Sequence, residues 1–337
     1  MLAEQVEVVV GVDTHKHTHT AAVVAATTGA VLAQATVSAE PAGYDALLEL
    51  ADQHGPLRAW AMEGSGGYGA GLAAHLTARS ELVVELDRPA RPTRRAGAKS
   101  DPIDAVRAAR DALARTHLAQ PRAGGQRAAL QVLLTARRAA VDATVEAHSQ
   151  LHALVVTAPE RVRARFRGQT TRGIIATALK QRPAHYAADV HVFTALTTLK
   201  AIARRVRTLE DEAAEHEKAI RAIVASWRPD LLAVTGVGPI VAATVLAAWS
   251  HAGRCRDDGA FAMLAGTAPI PASSGRTVRH RLNRSGDRQL NRAIHTVVIT
   301  RLRRDPTTRD YAERRRTQGK TDREIRRCLS RYVTRQL

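Results

Sequence analysis

Four carboxylates sit where hard oxygen ligands are useful. Asp13 follows the apolar run VEVVVGV in GVDTHKHTHT, Glu63 closes RAWAME in AMEGSGGYG, and Asp101 and Asp104 lie three apart in KSDPIDA, on one helical face. Oxygens from strand ends and a nearby helix are what Mg²⁺ takes, and two such ions about 4 Å apart activate an attacking oxygen and stabilise a leaving one. Each acid also has a purely structural reading. Asp101 before Pro102 has the pattern of a helix N-cap with proline at N1 and Asp104 at N3, while Asp13 before Thr14 and Glu63 before Gly64 suit strand-ending turns. His15, His17 and His19 alternate after Asp13, so on an extended strand they share one face, as metal ligands, phosphate contacts or a polar surface. Lys16, three residues beyond Asp13, and Lys99, just before the Asp pair, are candidate phosphate contacts.

A second group of residues lies in the C-terminal third. LLAVTGVGPIVAATVLAAW (231–249) reads helix, turn, helix: Gly236 and Gly238 permit a tight hairpin and Pro239 starts the second helix. Exposed N–H groups there receive phosphate in helix-hairpin-helix modules, although an ordinary interhelical turn uses the same residues. Ser273 and Ser274 precede Gly275 in a loop bracketed by Pro269 and Pro271, a composition that chemistry alone reads as a turn. Arg276, Arg279, Arg281, Arg284, Arg288 and Arg292 follow as a cationic surface for phosphates.

The elements that must position these groups follow from periodicity. Short apolar strands are expected at 6–12, 20–26 and 30–37, a helix at 43–53, a strand at 58–63, a helix at 68–78, a strand at 81–86 and a helix at about 101–115. Three strands in meander, then alternating helix and strand, describe a mixed sheet with flanking helices, an order that fits a ribonuclease-H-like (RuvC-like) domain over 1–118. In such a sheet the first and fourth strands are neighbours, so Asp13 and Glu63 come together. Apolar residues at helical spacing over 127–156 and 190–224 predict two long helices within a connector, 119–228. The second resembles a coiled-coil arm, packed either on the first helix or on another protomer. A basic, mostly α domain fills 229–337, carrying the serine and the helix-hairpin-helix-like element.

The 337 residues suffice for about two domains, and 45% hydrophobic content excludes wholesale disorder. Two cysteines, Cys255 and Cys328, build neither a disulfide framework nor a zinc site of their own. No signal peptide or membrane span is evident, so a soluble cytoplasmic protein without a membrane partner is expected, nucleoid-associated when acting. The net charge of +18 is uneven: residues 1–87 hold three basic and eleven acidic side chains, residues 276–337 nineteen and six. Such a basic tail points to a polyanion. Of the 50 basic residues 44 are Arg, the side chain suited to bidentate phosphate contacts.

Taken in order, GVDTHKHTHTAAVV, EGSGGYG, KSDPIDA, TGVGP and AGTAPIPASSG…NRSGDRQLNRA resemble one family over nearly the whole chain. It is that of the insertion-sequence transposases with a RuvC-like DEDD domain and a C-terminal serine nucleophile, the bridge-RNA-guided recombinases. The resemblance implies that Asp13, Glu63, Asp101 and Asp104 hold Mg²⁺, and that Ser274 (or Ser273) attacks a DNA phosphate to give a covalent phosphoserine. It further implies donor and target DNA as substrates and a bridge-type noncoding RNA as guide. It also implies a homo-oligomer, dimer to tetramer, in which the acidic domain of one protomer meets the serine domain of another. Two alternatives remain at this level: a metal-dependent endonuclease of Holliday-junction-resolvase type, and a non-catalytic nucleic-acid scaffold.

Overall fold

The computed structural model describes residues 2–86, 100–273 and 280–337, and the chain divides into two compact units, Met1–Ala123 and Gly124–Leu337. The first is a mixed α/β unit. β1 (Val8–Thr14), β2 (Thr18–Ala25) and β3 (Val31–Ser38) form an antiparallel meander; α1 (Pro41–Asp52), β4 (Arg58–Glu63), α2 (Ala70–Ala78), β5 (Leu82–Leu86) and α3 (Asp101–Ala114) follow. The sheet order is β3-β2-β1-β4-β5, with β4 parallel to both β1 and β5. All eight elements fall close to the expected spans. One expectation differs: β3 is an edge strand with alternating, half-exposed residues rather than a buried one, because only β2 pairs with it.

The two faces of the sheet are covered unequally. Val8, Val10, Val12, Trp60 and Met62 point to Tyr44, Leu47 and Leu48 of α1 and Leu72 and Leu76 of α2. On the other face, Val9, Ala59 and Ala61 meet α3 through Ala105, Ala108, Ala109 and Ala112. That seam is almost all alanine because the backbones nearly touch. A Cβ built on Gly11 would lie 2.0 Å from the Ala105 carbonyl oxygen and 2.5 Å from the Ala109 nitrogen.

A buried ion pair fixes the opposite end of β4. Arg58, 9% exposed, donates to Glu81 through Nε (2.9 Å) and Nη2 (2.6 Å) and also bonds Asp52, while the Trp60 indole N–H donates to Glu81 (2.8 Å). Burial pushes the Glu81 carboxyl up, but the bonds from Arg58 and Trp60 outweigh it and hold the group below its ordinary value.

The second unit is mostly helical. α4 (Gly125–Thr157) and α7 (Val190–Trp227) are about 50 and 57 Å long and pack antiparallel, with Arg137 paired to Glu217 (2.9 Å) and Arg205 to Gln150. The long helices therefore pack on each other within the chain. Their outer end is closed by α5 (Glu160–Arg163) and α6 (Thr171–Lys180), where Val162, Phe166, Ile174 and Ile175 join Leu151, Leu196 and Leu199. Not every apolar residue of these helices is buried: Val145 is 60% exposed, and the interface favours small neighbours such as Ala147 and Ala203.

The inner end belongs to the C-terminal core. α8 (Asp230–Ala233), α9 (Pro239–Trp249) and α10 (Asp258–Leu264) lead to a two-stranded hairpin, β6 (Ile270–Pro271) and β7 (His280–Arg281), followed by α11 (Arg288–Arg304), α12 (Pro306–Thr317) and α13 (Asp322–Gln336). Leu130, Ile220 and Val224 are buried with Val241, Leu246, Leu290, Ile294 and Ile325 in one cluster. Cys255 and Cys328 are both free thiols, and no described helix is long and apolar enough to cross a membrane.

Candidate active site

Alternation along β1 and β4 decides where the acids point. Residues 9 and 11 face α3, and so does Asp13; on β4, Ala59, Ala61 and Glu63 share that face. Because Val12 is registered with Met62, Asp13 and Glu63 stand at matching heights on adjacent parallel strands, about 5 Å apart in backbone spacing. Asp13 is opposite Thr20 on β2, and the Thr14 hydroxyl donates to the Glu63 carbonyl (3.4 Å). α3 then brings Asp101 to the same edge.

His15 stands between the acids. Its Nδ1 is 3.5 Å from Asp13 Oδ2 and 3.9 Å from Asp101 Oδ2, and one ligand atom from each of the three lies within 4.8 Å of the others. Asp13 is 26% exposed and Asp101 55%, so the group is open to solvent. Asp104 sits on the first turn of α3 and pairs with Arg107 (2.6 Å). That pair is largely solvent-exposed on the arginine side and contributes about 1 kcal/mol at most; neither Asp104 nor Glu63 belongs to the group of three.

Two readings of the sequence change here. The N-cap of α3 is Ser100, whose side chain makes no capping bond; Asp101 is the first helical residue and Asp104 the fourth, so neither carboxylate caps the helix. The three histidines do not share a strand face, because β1 ends at Thr14 and the chain turns before β2. His15 joins the acids, His17 is exposed in the turn, and His19 is buried on the far face against Tyr44 (ring centroids 5.7 Å). Burial lowers the His19 pKa; its Nδ1 is bonded to the Thr18 carbonyl oxygen (3.0 Å) and its Nε2 has no partner among the described residues. Lys16 is exposed at the tip of the same turn.

In the second unit, Gly236 has φ +83°, and a Cβ there would press on Val297 and Arg301 of α11 at 3.3–3.4 Å. Its glycine is thus explained by packing. Gly238 has open space around it and precedes Pro239, the first residue of α9. Arg281, Arg284, Arg288 and Arg292 are all exposed, without an ion pair among the described residues. Lys99, Ser274, Arg276 and Arg279 lie outside the described residues.

The frame of the serine loop is described on both sides. β6 and β7 pair antiparallel around residues 272–279, a hairpin that Pro271 and the brevity of the strands concealed in the sequence. Three residues not singled out beforehand hold its base. Asn283, buried, accepts from the Ser285 N–H (2.9 Å) and hydroxyl (2.6 Å); Asn291 donates to the Ala265 carbonyl (2.8 Å). Gly286, at φ +109°, has room for no side chain, since a Cβ would meet Leu264 O at 2.6 Å. The Asn-x-Ser-Gly-Asp turn composition of NRSGD was the available signal.

Comparison with known proteins finds two matching domains. Residues 10–158 match the DEDD transposase domain of IS110 elements, and residues 229–313 match the domain described as "Transposase IS116/IS110/IS902 family". Similar curated proteins include the insertion element IS900 uncharacterized 42 kDa protein of Mycobacterium paratuberculosis, 31% identical over 156 residues (44% of this chain, 38% of that protein). Another is the insertion element IS110 uncharacterized 43.6 kDa protein of Streptomyces coelicolor, 30% identical over 136 residues (40% and 32%). The alignments thus span only about a third of either relative. Asp13, Glu63, Asp101 and Asp104 fall inside the first matched domain and Ser274 inside the second. With both domains present and in that order, the chain belongs to the IS110/IS116/IS902 transposase family.

Proposed function

We propose that this transposase cuts and rejoins DNA with a divalent-metal site built on Asp13, Glu63, Asp101 and Asp104 and a nucleophile at Ser274. The observation that carries the first half is the convergence of Asp13, Asp101 and His15 within 4.8 Å at the strand ends, with Glu63 level with Asp13 on the next strand. Hard oxygen donors on one open edge fit Mg²⁺. A divalent cation bound there supplies Lewis-acid polarisation of a phosphodiester and neutralises its charge. The protein's own part is placement: the sheet fixes Asp13 and Glu63, and the α3 backbone fixes the Asp pair against Gly11.

The serine half rests on the family and on the framed hairpin. In this reading the Ser274 oxygen forms a bond to phosphorus as the bond to one flanking deoxyribose oxygen breaks, and the serine proton leaves with that oxygen. The phosphoserine ester conserves the linkage for rejoining. Arg281, Arg284, Arg288 and Arg292, with Gly238 at the start of α9, hold the sugar–phosphate backbone; Lys16 and Lys99 do so near the acids. Further parts of the proposal are a RuvC-like ancestry for the β3-β2-β1-β4-β5 sheet and a helix-hairpin-helix-like role for the 234–239 turn. A homo-oligomeric assembly, and guidance by a bridge-type RNA encoded beside the gene, complete it. Pairing by such a guide would move target choice from side chains to bases.

The test is a denaturation-resistant protein–DNA adduct. Wild type forms it in Mg²⁺, Ser274→Ala does not, and Asp13→Ala loses recombination but still binds DNA. An adduct that persists in Ser274→Ala refutes that assignment and moves the nucleophile to another side chain, Ser273 first, whereas a wild type that cuts DNA without any adduct favours a metal-activated water. Sequencing of co-purifying RNA tests the guide: a discrete transcript from the gene's flank is expected, and random cellular RNA overturns it.

A further inference from the structure

We propose that a small cavity among α11, α12 and α13 receives one unpaired nucleobase of a single-stranded nucleic acid. The cavity is about 190 Å³ and is lined by Val298, Arg301, Thr307, Tyr311, Tyr332 and Gln336, among others. Drug-sized ligands occupy roughly 300 Å³ or more, so this one suits a single planar ring system with its sugar and phosphate left outside. Two of the chain's five tyrosines wall it, Tyr311 and Tyr332, edge to face at 5.6 Å, in a protein with only 3% aromatics. Tyr332 is 49% exposed, an aromatic surface available for stacking.

The polar groups, among them the Asp305 carboxylate that accepts from the Thr308 N–H and hydroxyl, match a base edge, and the arginine charge beside the cavity matches a phosphate. Arg301 is spoken for, donating to the Thr235 carbonyl (2.7 Å) and to Gln336 Oε1 (2.7 Å). That bond orients the Gln336 amide, whose N–H₂ group, like the Thr307 hydroxyl, has no partner among the described residues. The guanidinium carbons of Arg314 and Arg315 lie 5.6 and 6.0 Å from the Tyr311 ring centroid, placing positive charge beside the cavity. Residues 288–337 carry fifteen Arg and Lys against five Asp and Glu, a surface that attracts a polyanion and disfavours a basic peptide. Aromatic stacking combined with a cationic surround is the combination by which single strands are held without reading sequence. An apolar side chain of a partner protein would use the ring but gain nothing from the arginines.

The inference rests on the nucleic-acid reading above, and its test separates the two. Binding of labelled A12 RNA, dA12 DNA and a blunt 20-base-pair duplex is measured for wild type, Tyr332→Ala and Tyr332→Phe. Loss of one stacked base corresponds to about a 5- to 150-fold weakening. The expected result is a loss in that range for at least one single strand in Tyr332→Ala, near-wild-type affinity in Tyr332→Phe, and duplex binding unchanged in both. Whichever strand loses more identifies RNA or DNA as the source of the base. Equal loss on all three probes, or no loss on either single strand, overturns the cavity and leaves the transposase reading standing. A wild-type protein that binds none of the three overturns both.

Discussion

Gly11→Ala is the perturbation that most directly tests how the acids are held. The added Cβ would sit 2.0 Å from the Ala105 carbonyl oxygen and 3.0 Å from the Ala109 Cβ. The first obstacle is backbone, so no rotamer change relieves it. Restoring ordinary contact at about 3.4 Å requires α3 to retreat by 3.4 minus 2.0, or about 1.4 Å, at its second turn. Asp101 rides on the turn before, already 3.9 Å from His15 Nδ1, and the same retreat carries it to about 5 Å, outside the present cluster. Overpacking of this kind costs about 1–3 kcal/mol of stability, and a misplacement of about 1 Å at a reacting group costs about 100-fold in rate. We expect Gly11→Ala to fold with a lowered Tm, to bind Mn²⁺ at least tenfold more weakly by electron paramagnetic resonance, and to lose recombination about 100-fold. Gly125→Ala, where nothing lies within 4 Å of the new methyl, is the control. Wild-type Mn²⁺ affinity and recombination in Gly11→Ala would show that α3 does not set the acid geometry.

Three further outcomes are expected. Glu81→Ala strands Arg58 and the Trp60 N–H beside it; since Asp52 still pairs with Arg58, the cost falls near the lower end for a broken buried pair, about 3 kcal/mol by urea melts. Because Glu81 titrates lower folded than unfolded, its contribution is full above the ordinary glutamate pKa and lost as pH falls through the folded value, so wild type loses stability below about pH 4.5 and Glu81→Gln shows a shallower fall. His19 is also held below its unfolded pKa, but as a base: the unfolded chain takes up the proton first, so stability declines as pH drops below about 6.5, and His19→Phe should flatten the Tm profile below that pH. Arg288→Ala with Arg292→Ala should reduce the slope of log affinity against log salt for duplex DNA by about 1.8, and an unchanged slope would remove these two from the phosphate contacts.

The strands, both long helices and the pairing of Asp13 with Glu63 were legible because each depends on periodicity within a short window. VEVVVGV and RAWAME declare buried strands, and the apolar stripe of 190–224 declares one face of a helix. What escaped depended on chain reversal. The alternation of His15, His17 and His19 was read as one strand, whereas the chain reverses over residues 15–17 and sends His19 to the opposite face. The capping pattern of Ser-Asp-Pro was placed one residue late, which made Asp101 look structural. β6 and β7 are two residues each, too short for any alternation to register. Gly11 within VVVGVD did carry a signal, since glycine inside a strand marks close backbone approach, and the all-alanine face of α3 is its complement.

The helical hairpin also dictates an order of events during synthesis. Its outer end is made of residues close in the chain: Leu151, Phe166, Ile175 and Leu196 can meet once about 200 residues are translated. Its inner end is not local, because Leu130 is buried against a cluster that includes Leu290 and Ile294. At translation speeds of about 5–20 residues per second, Leu130 waits on the order of ten to thirty seconds for those partners to emerge. Over that interval the sheet unit and the hairpin tip are complete, and the apolar ends of α4 and α7 are covered first by α9, which packs on both. The core of the helical unit is therefore completed last, when α11 arrives to pack on α9.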